Sequence, residues 1–473
     1  MLNKKFRNNK MAHVTNYNLD QKFDFTSAIK KSILIFGGIG AVLLVVGLLF
    51  AIFGGDHGHV AEEAGAHVVE TSGAHAIEAE GAHATEQEGD HTAGSEGGHS
   101  FHWSERFFAN LWVNNVYFAG IAVIGVFFFA IQYAAQAGWS TALLRIFLSF
   151  GNWLPFAAGL ILITFFIAGH DIFHWTHSYV YDSANPATYD SIIDGKGSYF
   201  YWPMEKGSFP VFFILRLVIF FGAWIFFYKK FSDLSFQEDL HGGSAYWHRL
   251  RKYSAIFLVI FAVSSSVGAW DWIMSIDTHW FSTLFGWYVF SSWFVAGLSA
   301  MTLLTIFLKE KGYLDMVNTN HIHDMGKFVF AFSIFWTYLW FSQFLLIYYA
   351  NIPEESVYYV ERLHSETYSL FFYMNLILNF FLPFFVLMTR DSKRHTIFLK
   401  VICSLVIFGH WLDITLMVHP GMLGHNGGVG FMEIGMFLLY ASIVAFVVLA
   451  GLSKKALVAK NHPMLEESYH HHI

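Results

Sequence analysis

Charge and cysteine are what this chain is short of. Asp, Glu, Lys and Arg together make 13% of its 473 residues, while 55% are hydrophobic; a soluble domain carries roughly 25% charged residues. The shortage excludes an ordinary soluble domain and indicates a chain built for lipid. The single cysteine, Cys403, lies inside an apolar run, so the chain can assemble neither a disulfide framework nor a thiolate-held iron–sulfur cluster. Any electron carrier has to be borrowed from a partner. The net charge of −7 says little about partners, because the acid lies mainly in stretches between the apolar runs; no nucleic-acid partner is expected.

What is abundant is apolar sequence of spanning length, about 20 residues. Such runs occur at 32–53, 107–136, 143–169, 208–228, 253–275, 284–308, 327–349, 366–389, 396–418 and 430–451, which predicts an all-α integral membrane protein of ten transmembrane helices. Pro155 and Pro383 fall inside two of them and predict kinks. The first run is too long for a signal peptide and lacks an A-x-A cleavage site, so it reads as a retained helix. Basic residues resist translocation. The N-terminal arm carries Lys4, Lys5, Arg7, Lys10, Lys22, Lys30 and Lys31, and every second connection is basic again, as at Lys229, Lys230, Arg249, Arg251 and Lys252. The expected orientation is therefore multi-pass in a bacterial inner membrane with both termini cytoplasmic.

The first outer loop, 54–104, is rich in Gly, Ala, Glu and His and repeats with a period of eight: His59, His67, His75, His83, His91 and His99, with Glu62, Glu70, Glu78 and Glu86 three residues after a histidine. Two readings stand. The segment is a hydrated acidic spacer grown by local duplication, or its imidazoles and carboxylates bind zinc or copper or buffer protons.

Ionisable groups inside the spans carry more information, because they are expensive in lipid and mark pathways. His170, Asp171, His174 and His177 end the third span, and the three histidines fall on one helical face. Arg216 sits in the fourth span, ~12 Å below the outer surface at 1.5 Å per residue. The fifth span ends in Ala269-Trp270-Asp271-Trp272, the ninth carries His410 and Asp413, and the tenth opens with Glu433. All are expected in the outer third. A carboxylate beside Arg216 stays ionised and stitches helices together, whereas one among apolar neighbours can pass protons. Haem is disfavoured, since the histidines crowd at the outer rim with no opposed pair at mid-depth; no metal is expected in the membrane core. Trp270-Asp271 and Trp411-Leu412-Asp413, each followed by a methionine, also echo each other at similar depth, which fits two parallel four-span repeats, spans 2–5 and 6–9, flanked by spans 1 and 10.

The stretches Ala269-Trp270-Asp271-Trp272-Ile273-Met274-Ser275-Ile276-Asp277-Thr278-His279-Trp280-Phe281-Ser282-Thr283-Leu284-Phe285-Gly286 and Phe341-Ser342-Gln343-Phe344-Leu345-Leu346-Ile347-Tyr348-Tyr349-Ala350-Asn351-Ile352-Pro353-Glu354-Glu355, with His174-Trp175, His177, Phe213-Ile214-Leu215-Arg216, Pro420 and Glu433, resemble the polysulfide-reductase/NrfD-like membrane proteins, and within them the ActF-type members that belong to alternative complex III. The resemblance covers roughly 105–455. It implies two four-helix bundles plus two flanking helices, and with the apolar runs this divides the chain into 1–31 as N-terminal arm, 32–53 as first helix, 54–104 as a loop that is not part of the family pattern, 105–275 and 276–418 as the bundles, 419–451 as outer loop and tenth helix, and 452–473 as tail. It also implies a respiratory complex that oxidises quinol and passes electrons through partner subunits, an iron–sulfur protein and multihaem c-type cytochromes, beside a sister NrfD-like subunit, to cytochrome c or a terminal oxidase. The better supported quinol site in that family lies in the sister subunit.

The expectation is thus a cofactor-free subunit of a quinol:cytochrome c oxidoreductase that contacts quinol or menaquinol, transfers protons, or both, and touches membrane lipids. Asp171, His174, Asp271 and Asp413 would transfer protons, and His174, Arg216 and Asp271 would contact the quinone, in one outer polar cluster bordered by His170, His177, His410 and Glu433. His174 and Asp271 would be the first acceptors. A secondary transporter would also bury ionisable groups, but with broken helices near the midplane, whereas these spans look continuous. A purely structural anchor of the same complex is the third reading.

Overall fold

The computed structural model describes residues 18–53 and 102–472. The period-eight histidines His59, His67, His75, His83, His91 and His99 lie outside the described residues. Among the described residues, ten helical stretches are long and apolar enough to cross a membrane. The first two are α1 (Ser27–Phe53) and α2 (Trp103–Ala134); the third consists of α3 (Leu144–Ser149) and α4 (Leu154–Ile172). A short α5 (Ser191–Tyr201) precedes α6 (Val211–His241) and α7 (Ala245–Trp272), followed by α8 (Phe285–Glu310), α9 (Thr319–Ala350) and a second short helix, α10 (Pro353–Leu363). The eighth span is α11 (Ser369–Leu376) and α12 (Leu382–Val386); α13 (Thr396–Leu423), α14 (Phe431–Leu452) and the small α15 (Leu465–Tyr469) complete the chain.

The expectation of continuous spans is corrected in two of the spans, and α4 is kinked again at Ala168. A 3-10 turn at Phe150–Trp153 separates α3 from α4, and a π turn at Ile377–Phe381 separates α11 from α12. Pro155 and Pro383 each stand in the first turn of the helix that resumes. A proline there has no N–H to offer the preceding turn, so the ladder changes register before it.

Helices α2, α3–α4, α6 and α7 form one bundle, and α8, α9, α11–α12 and α13 the other. They meet along α2, α8 and α13. Gly120 of α2 lies so close to α8 that a Cβ would stand 2.3 Å from the Trp293 ring. The Tyr117 hydroxyl donates to the Ile407 carbonyl of α13 at 2.5 Å, and the Trp112 indole N–H to the Trp272 carbonyl of α7 at 2.7 Å. The remaining spans, α1 and α14, pair with each other through glycines. A Cβ on Gly47 would be 2.3 Å from the Met432 nitrogen, and one on Gly435 2.3 Å from the Leu44 nitrogen, the close approach by which helices associate where lipid removes the hydrophobic drive. The face of α1 turned away from α14 exposes Leu34, Ile35 and Val42; such a surface is stable in hydrocarbon and a liability in water.

Both described ends of the chain lie together. Leu457 N–H donates to the Gln21 carbonyl at 3.0 Å, and Lys460 pairs with Asp20 at 2.8 Å. We call this the terminal end. The opposite, loop end gathers α5, α10 and the connections around residues 277, 364 and 426. There Arg362 reaches Asp277 at 3.2 Å, Lys196 donates to the Thr278 carbonyl at 2.5 Å and the Tyr368 hydroxyl to the Gly424 carbonyl at 2.8 Å.

Candidate functional site

The two carboxylates that echo each other in sequence occupy unlike surroundings. Asp271, in the last turn of α7, is fully buried and receives both arms of Arg216 from α6: Nε to Oδ2 at 2.7 Å and Nη2 to Oδ1 at 2.9 Å. The third arm, Nη1, donates to the Tyr199 carbonyl at 2.8 Å, and the guanidinium lies over the Tyr199 and Phe212 rings at 4.1 and 4.5 Å. A planar fork on a carboxylate between aromatic faces is the strongest form of ion pair.

Asp413 is equally buried but has no arginine on it. Three neutral donors converge: the Tyr288 hydroxyl of α8 and the Asn375 amide of α11 on Oδ1, the latter at 2.8 Å, and the Trp336 indole N–H of α9 on Oδ2 at 2.9 Å. His410, one turn earlier on α13, places Nδ1 4.0 Å from Oδ2 and 3.0 Å from the Ser292 hydroxyl. Its Nε2 has no hydrogen-bond partner. Asn379 donates to the Asn375 side-chain oxygen at 2.5 Å, so the amides continue the polar line along α11 into the π turn. In the two-repeat scheme α11 corresponds to α6; where the first bundle sets a cation against its aspartate, the second sets an amide.

The single outer cluster expected from the sequence therefore resolves into separate centres. Asp171 and His174 are exposed at the loop end and do not join the buried Arg216–Asp271 pair. The three histidines also do not share a helical face, because α4 ends at Ile172 and His174 opens a 3-10 turn. That turn still brings their rings together, His170 and His177 at 5.4 Å and His174 and His177 at 5.7 Å, with the Thr176 hydroxyl 3.0 Å from His170 Nδ1. Burial, with His174 and His170 beside it, holds the His177 imidazole below its usual value. Asp271 ends its helix, whereas Asp413 and His410 lie inside α13, roughly 15 Å and more before Leu423 at 1.5 Å per residue.

Glu433 opens α14 as a structural tie. It accepts from Arg106 Nε at 2.7 Å and Nη2 at 3.0 Å, from Asn110 at 2.8 Å and from the Gly430 N–H at 2.6 Å, which locks the tenth helix to α2.

Sequence reasoning passed over Arg362, because it sits between spans. It is almost wholly buried, stacks on Tyr358 at 3.4 Å and donates to the Leu416 carbonyl at 2.9 Å as well as to Asp277, so it ties the α7–α8 connection to α13 about a turn from Asp413. Tyr288, Trp336, Asn375 and Asn379 were passed over because neutral polar groups leave no charge signal in an apolar run. Among the described residues no group of three or more His, Cys, Asp or Glu side chains is arranged to hold a metal ion. Comparison with known protein families and with curated proteins returns no match.

Proposed function

We propose that this chain is a membrane subunit, with no redox centre of its own, of a quinol:cytochrome c oxidoreductase of the alternative complex III type, and that its second bundle carries protons for quinol oxidation. The observation that carries this reading is the buried carboxyl–imidazole pair of Asp413 and His410, ringed by neutral donors and open at His410 Nε2. A carboxyl locked to arginine is held in one charge state, whereas one held by hydroxyl, indole and amide can change state and exchange a proton with an imidazole. Oxidation of a quinol releases two electrons and two protons. The electrons go to a partner's iron–sulfur and haem centres, and the protons need acceptors such as exposed His174 and Asp171 or buried Asp413. The clustering of basic residues at the terminal end supports an inner-membrane orientation with both termini cytoplasmic.

A transporter would place broken helices in corresponding positions of its two repeats. The breaks here fall in the second helix of one bundle and the third of the other, which favours the subunit reading. The test is purification from native membranes. The chain should bring down iron–sulfur and multihaem proteins, and Asp413→Asn should assemble yet lose most quinol turnover. Full turnover and proton release in that variant, or solute uptake by the chain alone, would overturn the proposal.

A further inference from the structure

At the terminal end, where α6 and α14 meet the α3–α4 turn, a pocket of about 100 Å³ opens to the surface. Its polar lining includes Arg145, Asn152, Tyr228, Ser232, Lys454 and Lys455, with no carboxylate among the lining residues. Arg145 is already committed: its N–H groups go to Ser235, to the Ala456 and Val458 carbonyls at 3.0 and 2.9 Å, and to Asp239 at 2.6 Å. Its charge is balanced by Asp239. The two lysines are not balanced within the pocket. Lys455 donates to the Ser232 hydroxyl at 2.7 Å and carbonyl at 3.1 Å, which leaves its third N–H and the Ser232 O–H free to donate. Asn152 uses one amide hydrogen on the Ser149 carbonyl at 2.7 Å and its oxygen on the Tyr228 hydroxyl at 2.7 Å, leaving its second N–H. Burial and the nearby Arg145 outweigh Asp233, outside the pocket lining, and hold the Lys455 ammonium below its usual value.

We propose that this pocket binds the phosphate of an anionic phospholipid headgroup, clamping α6 of the first bundle to α14 of the flanking pair. The lining supports a phosphate, since Asn152, Ser232 and Lys455 present N–H and O–H donors to a small pocket open to the surface. Depth supports a lipid source. The pocket sits at the last turn of α14, beside Tyr228, Lys229 and Lys230 of α6, where aromatic and basic residues mark the headgroup layer, and basic pockets between spans on that side are suited to phospholipid phosphates.

The purified full chain, exchanged into phosphatidylcholine nanodiscs and titrated with phosphatidylglycerol, gives the test through native mass spectrometry of retained lipid. We expect phosphatidylglycerol to be kept in about tenfold preference. The preference should fall to near parity in Lys455→Gln and in Lys454→Gln, and persist in Lys454→Arg. Lys454 is exposed, so its replacement leaves folding intact even if Lys455→Gln does not. Equal retention of both lipids by the parent, or an unchanged preference in Lys454→Gln, would overturn the site. Inorganic phosphate competing with phosphatidylglycerol at equal concentration would show a free-anion site and overturn the lipid assignment.

Discussion

Asp271 and Asp413 stand at echoing positions of two similar bundles, both fully buried, and differ in the charge of their partners. Arg216 faces the first and Asn375 the second. A buried carboxylate can be stabilised by an opposite charge or by several neutral dipoles, and the two choices lead to different uses. The ion pair fixes charge, and with it the packing of α6 on α7. The neutral cage leaves the charge on Asp413 free to change beside His410.

The largest expected effect tests the structural half of that contrast. Arg216→Met leaves Asp271 buried without its counter-charge and should destabilise the chain by about 3–5 kcal/mol, seen as loss of monodisperse protein on size-exclusion chromatography. The double replacement Arg216→Met with Asp271→Leu removes both charges and should recover most of that loss, because well-packed apolar residues replace buried ion pairs at little cost. Failure of the double variant to recover, with turnover also lost, would give the first bundle a chemical role. In the second bundle, Asn375→Leu removes one donor from Asp413 and should cost about 1–3 kcal/mol in a thermal melt, less than the loss of Arg216; an equal cost would erase the distinction.

The smallest effect lies at the loop end of the first bundle, where Asp190 caps α5 through the Ile192 and Ile193 N–H groups at 2.9 and 3.0 Å and pairs with His279 at 2.5 Å. Burial pushes the Asp190 carboxyl up, but the Ile193 N–H, His279 and the Ile192 N–H outweigh it and hold the group below its usual value. The sign follows: this stabilisation is fully present above the unfolded value near 3.8 and is lost as pH falls through the lower folded value. Asp190→Ala should cost about 1 kcal/mol at neutral pH and nothing in strong acid, read from hydrogen exchange of α5. Quinol turnover should stay near the parent's.

Much of the architecture was legible in the sequence. Hydropathy located all ten spans, and the Trp–Asp echo suggested the two-bundle repeat, because both signals are local. The partner of each aspartate was not. Arg216 and Asp271 are 55 residues apart, and nothing local says which cation meets which acid; the expectation that Asp271 is a first proton acceptor rests on the density of charges near it, whereas its full pairing with Arg216 argues for a structural role. The helical face assigned to His170, His174 and His177 failed because the chain leaves the helix after Ile172, a boundary that apolar periodicity defines poorly in a span that is apolar all round.

The most direct test of the central claim is the redox-induced infrared difference spectrum of the assembled complex, which reports carboxyl groups that gain or lose a proton as quinol is oxidised. The account predicts a carboxyl C=O band that vanishes in Asp413→Asn and survives in the Arg216→Met, Asp271→Leu double variant. A band that persists without Asp413 and disappears with the Arg216–Asp271 pair would contradict it.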